Sequence, residues 1–189
     1  MVRYSEWVLR KACLQAQAWR QQGYPLPCIA VNVSALQLQR CEFVETVVSI
    51  LQESGLPSNC LEIEITETVL MRKAEWAMTL LHQLKKLDVR FAIDDFGTGY
   101  SSLSYLKKMP LNRLKIDRSF IQDIPADSND VAIVQAVVTL GHSLGLTVIA
   151  EGVETEEQAE LLRKLGCDDV QGYLYSRAVD VDAMRELLK

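Results

Sequence analysis

Apolar and polar positions divide the chain into short Val-, Ile- and Leu-rich runs, separated by longer segments with apolar residues every three to four positions. The runs at residues 29–34, 61–66, 89–94, 113–117, 147–151 and 169–174 predict six strands. Segments 7–21, 42–53, 74–87, 130–144 and 154–165 predict helices, with a last one near 181–188. Gly23, Gly55, Gly145 and Gly166 each follow a predicted helix where a left-handed cap is wanted. A helix followed by strands and helices in alternation argues a parallel sheet covered by helices.

The strands depart from ordinary buried ones in where they carry polar residues. Side chains alternate along a strand, so Asn32, Glu64, Asp94, Lys115, Asp117, Glu151 and Gln171 each face away from apolar neighbours. All but Lys115 fall at or near a strand's carboxyl end, the end that carries the active site of a (β/α)8 barrel or the ligand crevice of an open doubly wound sheet. Polar groups on six successive strands favour closure, because only a ring makes them converge. The fold class expected is α/β, a TIM-type (β/α)8 barrel with about six of its eight strand-helix units inside residues 1–189. Such barrels run to roughly 250 residues, so about two units are expected upstream of Met1.

Composition narrows the class. The chain has 189 residues, 49% hydrophobic and 24% charged, with a formal charge of −5, so it reads as one globular domain. No Lys/Arg block offers bulk attraction to DNA or to an anionic membrane, and an anionic ligand would need a local cation. Cys13, Cys28, Cys41, Cys60 and Cys167 form no Cys-x-x-Cys pair and, with only His82 and His142, compose no zinc site; the scattered set fits a reducing cytoplasm. No signal peptide is visible. The uncharged stretch 131–150 is broken by Gly141 and Gly145 and reads as a helix followed by a buried strand rather than a membrane span.

Five carboxylates, Glu64, Asp94, Asp95, Asp117 and Glu151, would share one mouth with Lys115, leaving a net charge of −4. Such a cavity cannot stay ionised without compensation. Two divalent cations would balance it, and oxygen ligands without His or Cys favour Mg²⁺, Mn²⁺ or Ca²⁺ over zinc. The pair Asp94-Asp95 suits one carboxylate bridging two ions while its neighbour, placed in the following loop, holds the second. Two such ions clamp the attacking and leaving oxygens of a phosphoryl displacement. Lys115, on the inward face, is suited to hold a phosphate oxygen or a water. Gly97-Thr98-Gly99 fits a phosphate cradle or a tight loop; His142, Met78, Met109 and the three Trp read as packing residues, and Glu154 as a first-turn carboxylate of its helix.

The strings VNVSALQL (31–38), LEIEITETVL (61–70), FAIDDFGTGYSSLSYL (91–106), LKIDRSFI (114–121), VIAEGVET (148–155) and QGYLYSR (171–177) resemble the EAL family of cyclic-di-GMP phosphodiesterases, in family order over nearly the whole chain. The resemblance implies a modified (β/α)8 barrel, two Mg²⁺ or Mn²⁺ ions, and hydrolysis of cyclic-di-GMP to linear pGpG. Carried over by position, Asn32, Glu64 and Asp94 look like ligands of one ion, with Asp94 and Asp95 reaching the other. Glu151 resembles the carboxylate that binds the second ion or orients the nucleophilic water. Lys115 and Asp117 resemble the pair flanking that water, and Gln171 the glutamine near the substrate, where Asp95 also lies. Glu67 resembles the glutamate that steadies the loop at 95–100, and residues 95–106 the segment the family uses in homodimers. Attached sensor or GGDEF domains are also implied.

Two departures stand out. The family's Glu-Ala-Leu, a first-strand motif whose Glu is a metal ligand, is not in this sequence, so it is expected upstream, with poor hydrolysis or none by residues 1–189 alone. Ala178 stands where the family usually has Pro. A degenerate, non-catalytic EAL module that senses cyclic-di-GMP or a protein partner is the alternative; degenerate members usually lose carboxylates in the DDFGTG or EGVE strings, and both are intact here. A metal-dependent lyase of the enolase type fits less well, given Asp94-Asp95 and the strand asparagine.

Overall fold

The computed structural model describes residues 2–26, 28–99 and 102–188. Six parallel strands, β1 (Ile29–Asn32), β2 (Leu61–Thr66), β3 (Arg90–Phe96), β4 (Arg113–Ile116), β5 (Thr147–Glu151) and β6 (Asp169–Gln171), lie side by side in chain order. Each consecutive pair is in parallel register, from Ile29 opposite Leu61 to Glu151 opposite Gln171. Parallel crossovers are right-handed, so an unbroken strand order puts the connecting helices on one face. A doubly wound sheet, whose order reverses, is excluded.

The helices among the described residues are α1 (Val2–Gln21), α2 (Ala35–Leu38), α3 (Phe43–Ser54), α4 (Glu67–Arg72), α5 (Ala74–Lys85), α6 (Leu103–Leu106), α7 (Ser128–Ser143), α8 (Glu156–Lys164) and α9 (Val181–Leu187). The short α2, α4 and α6 fill stretches that carry too little periodicity to predict, and α1 begins at Val2 rather than at residue 7. β1 stops at Asn32 because Ser34 turns into α2, its N–H and Oγ–H both donating to Gln37 Oε1 at 3.0 Å. β6 stops at Gln171 because the chain then folds against Val153, whose N–H donates to Gln171 O and whose carbonyl accepts from Leu174 N–H. The expected helix at 154–165 starts later, at Glu156, capped by Thr155 and Gln158. Residues 131–150 form α7 and β5 as expected, and no helix among the described residues is long and apolar enough to cross a membrane.

Alternation splits the sheet into two faces. Leu61, Ile63, Ile65, Phe91, Ile93, Leu114, Ile116, Val148 and Ala150 are buried beneath the helices. The opposite face holds Glu62, Glu64, Asp94 and Lys115, buried although charged. Arg113 on β4 measures how far this face is curled. Its Nη1 lies 3.1 Å from Glu62 of β2 and its Nη2 3.1 Å from Asp169 of β6. In a flat sheet those strands would stand four spacings apart, about 19 Å, so one guanidinium bridges them only because the sheet bends round it. β1 and β6 each pair on one side only, so the described strands form an incomplete barrel.

Candidate active site

At the centre of the concave face stands Lys115. Its Nζ lies 2.9 Å from Glu64 Oε1, 3.0 Å from Asp94 Oδ1 and 2.7 Å from Glu151 Oε1, so β4 is tied to β2, β3 and β5 through one ammonium. Burial alone would lower the lysine pKa, but the hydrogen bonds and charges of Glu151 and Glu64 hold it above the ordinary value. Burial pushes Glu64 up, and Lys115 only partly pulls it back because Asp94 and Glu62 add negative charge. Glu151 is raised in the same way, with Asp94 and Glu64 opposing Lys115. One cation shared among three carboxylates leaves all of them under-compensated. Asn32, on the exposed edge strand, donates from Nδ2 to Glu64 Oε2 at 3.0 Å, which leaves its amide oxygen as a further hard donor.

Adjacent strand residues normally point to opposite faces, yet Asp94 and Asp95 serve the same mouth. Asp95 was expected in the loop; it lies inside β3. It has φ 53°, and the register with β4 shifts between Ile93 and Phe96. This bulge re-aims the side chain. Asp94, Asp95 and Glu151 therefore bring one ligand atom each within 4.8 Å of one another, an all-oxygen donor set suited to a hard divalent cation.

Beside this cluster opens a cavity of about 310 Å³ at the carboxyl ends of β3 to β6, lined by Asp95, Asp117, Glu151 and Gln171 of the expected residues. Asp117 follows β4 and accepts from Ser119 N–H at 2.9 Å, capping a 3₁₀ turn over Arg118–Phe120. Burial would raise its pKa, but the Ser119 bonds and a hydrogen bond with Asp95 lower it below the ordinary value. Asp95 moves the other way, raised by burial and by the charges of Asp94 and Asp117.

Among the lining residues to which the sequence reading gave no part in the site are three with charged or aromatic side chains, Arg118, Glu154 and Tyr173. Glu154 was expected in the first turn of a helix; α8 begins two residues later, and Glu154 instead faces the cavity while its N–H donates to Gln158 Oε1. The signal that locates all three is adjacency, since each lies within three residues of Asp117, Glu151 or Gln171.

Glu67 opens α4 and is buried; its Oε2 accepts from Gly97 N–H at 2.9 Å. A Cβ at Gly99 would meet Glu67 Oε1 at 3.0 Å, so loop and carboxylate are closely fitted. Tyr100 and Ser101, part of the segment expected to serve as loop and dimer surface at 95–106, lie outside the described residues. A second charged layer, also missed by the sequence reading, underlies the first: Glu62, fully buried on the same face as Glu64, pairs with Arg113 and approaches Arg90 at 3.8 Å.

The arrangement has counterparts among known proteins. The chain is 46% identical over 184 residues to the bifunctional diguanylate cyclase/cyclic di-GMP phosphodiesterase MucR of Pseudomonas aeruginosa, a match over 97% of this chain and 27% of MucR. It spans about a quarter of the length of the curated relatives it matches. The structure of the PaMucR phosphodiesterase in complex with c-di-GMP superposes with a TM-score of 0.94 at 46% identity, covering 97% of this chain and 74% of that one. Klebsiella pneumoniae BlrP1, in complex with manganese and cyclic-di-GMP, superposes with a TM-score of 0.84 at 31% identity over 93% of this chain and 44% of that one. The EAL domain pattern matches residues 1–178, and with this sheet, this order of motifs and these relatives the chain belongs to the EAL domain family.

Proposed function

We propose that this chain carries the catalytic residues of a phosphodiesterase that hydrolyses cyclic-di-GMP to linear pGpG with two divalent cations, Mg²⁺ or Mn²⁺, residues 1–189 by themselves turning it over poorly or not at all. The observation that carries the reading is the convergence of Asp94, Asp95 and Glu151 within 4.8 Å beside a cavity at the strand ends. MucR and BlrP1, both met with cyclic-di-GMP, support the substrate, and the manganese of BlrP1 supports the metal.

Asp94, Asp95 and Glu151 would hold the ions, with Glu64 and the Asn32 amide oxygen completing the donors on the β1 and β2 side. Ions held there would neutralise charge on the scissile phosphate and lower the pKa of an attacking water. Lys115, fixed by three carboxylates, keeps a proton-rich ammonium at the floor of the site and orients Glu151. Asp117, on the cavity wall, is placed to accept a hydrogen bond from the attacking water and orient it, its lowered pKa keeping it ionised for that part. Gln171, paired with Glu151 across β5 and β6, offers amide hydrogen bonds to the substrate. Both carboxylate strings are intact, which favours the hydrolase over a non-catalytic sensor.

The same reading extends to residues 1–189 as an EAL-type phosphodiesterase domain, to homodimers through residues 95–106, to attached sensor or GGDEF domains, and to a cytoplasmic location. The test is pGpG release. It should vanish in excess chelator and return with Mg²⁺ or Mn²⁺, and Asp94→Asn should cost more than Asp117→Asn because only Asp94 would bridge the ions. Full turnover in chelator would overturn the metal-dependent reading.

A further inference from the structure

Around the cavity the lining carboxylates Asp95, Asp117, Glu151 and Glu154 face a single cationic side chain among the described residues, Arg118. Divalent ions at the Asp94, Asp95 and Glu151 cluster would offset only part of this charge, leaving Asp117 beside the cluster and Glu154 on the same lining, where a dianionic ligand must pass or rest.

Arg118 is built to answer that charge. Its backbone opens the 3₁₀ turn pinned by the Asp117 cap, and its side-chain stem crosses Gly152 so closely that a Cβ there would fall 2.6 Å from Arg118 Cβ. Gly152 has φ +73°, a conformation that suits glycine and leaves room for the stem. The first atoms of the side chain are thus fixed while its guanidinium makes no hydrogen bond or ion pair within 4.0 Å to any described residue. Arg113 and Arg90, by contrast, are engaged by Glu62. A positioned but unspent guanidinium on an acidic wall is complementary to a phosphodiester, which it can grip with two parallel N–H donors.

We infer that Arg118 is a substrate-binding residue that holds the non-scissile phosphate of the cyclic dinucleotide while the scissile one faces the carboxylate cluster. This rests on the phosphodiesterase reading above and adds to it a recognition role on the β4 side.

The experiment compares parent, Arg118→Gln and Arg118→Lys in the Mg²⁺-loaded protein, reading KM and kcat for cyclic-di-GMP at low and high NaCl together with the thermal midpoint. Loss of a charge-assisted contact should raise KM roughly 10- to 100-fold in Arg118→Gln, with kcat within about threefold of parent and an unchanged thermal midpoint. Arg118→Lys should recover only part of the affinity, because an ammonium still attracts a phosphate but lacks the two parallel donors. Rising salt should weaken substrate capture by the parent more than by Arg118→Gln. An unchanged KM in Arg118→Gln, a loss confined to the thermal midpoint, or a loss of affinity with no change in salt response would each overturn the assignment while leaving the hydrolase reading in place. Absence of both turnover and cyclic-di-GMP binding in the parent would overturn the hydrolase reading and this assignment with it.

Discussion

Lys115 Nζ lies 2.7 Å from Glu151 Oε1 across β4 and β5, the shortest of the three ion pairs that this buried lysine makes. The pair occupies the place where charge compensation is most needed, so the lysine acts as the protein's own cation within the carboxylate cluster.

Removing that cation leaves Glu64, Asp94 and Glu151 without their shared cationic partner. Breaking a buried ion pair by deleting one member typically costs about 3–5 kcal/mol. Lys115→Met should therefore lower stability by that order in chelator, measured by urea denaturation, and Mg²⁺ should recover a large share by taking over the compensation. Equal stability of parent and variant in chelator would show that Lys115 does not compensate the carboxylate cluster.

The upward displacement of Glu64 and Glu151 has a signed consequence. A carboxyl raised in the folded state stabilises fully below its unfolded value, about 4.3 for Glu, and that contribution is lost as pH rises through the folded value. In chelator the stability difference between parent and Glu64→Gln should thus shift against the parent as pH climbs from 4 toward neutrality. Protons compete with metal for the same oxygens, so Mg²⁺ affinity should rise over that range. Isothermal titration at several pH values checks the second half; a pH-independent affinity would count against these ligands.

Glu67 connects α4 to the turn after Asp95 through Gly97 N–H. Glu67→Ala removes the acceptor of the exposed Gly97 N–H, at a cost of about 0.5–1.5 kcal/mol for one lost hydrogen bond, and should lower turnover by loosening Asp95. Glu67→Gln keeps an acceptor oxygen and should be milder. Equal turnover of the two variants would separate the loop from the chemistry.

Gly172 permits β6 to turn back against Val153: an added Cβ would fall 2.0 Å from Val153 O and 2.3 Å from its N. Backbone cannot yield as a flexible side chain can, so Gly172→Ala should cost at least the roughly 1–3 kcal/mol of overpacking and displace Gln171. Gly145→Ala is the control, since nothing lies within 4 Å there and only its positive φ opposes the change. A thermal midpoint for Gly172→Ala no lower than that of Gly145→Ala would refute the packing account.

Period-two alternation in 61–66, 89–94, 113–117 and 147–151 determined which side chains share a face, because that periodicity is local backbone geometry. Glu64, Asp94, Lys115 and Glu151 were legible for that reason, and the carboxyl-terminal placement of the acids pointed to the mouth of a barrel. Strand ends were less legible: β1 and β6 are cut short by Ser34 capping α2 and by Gly172 meeting Val153, contacts made with residues outside the strand itself. Only the tertiary structure decided that Asp95 lies within β3 yet turns to the same mouth as Asp94, since a bulge arises from how two strands pair and not from either alone. It also decided that Lys115 is spent on three carboxylates whereas Arg118 is not, and that Glu62 is answered by Arg113. Ion pairing depends on distances between strands far apart in sequence, and those distances exist only once the sheet has curled.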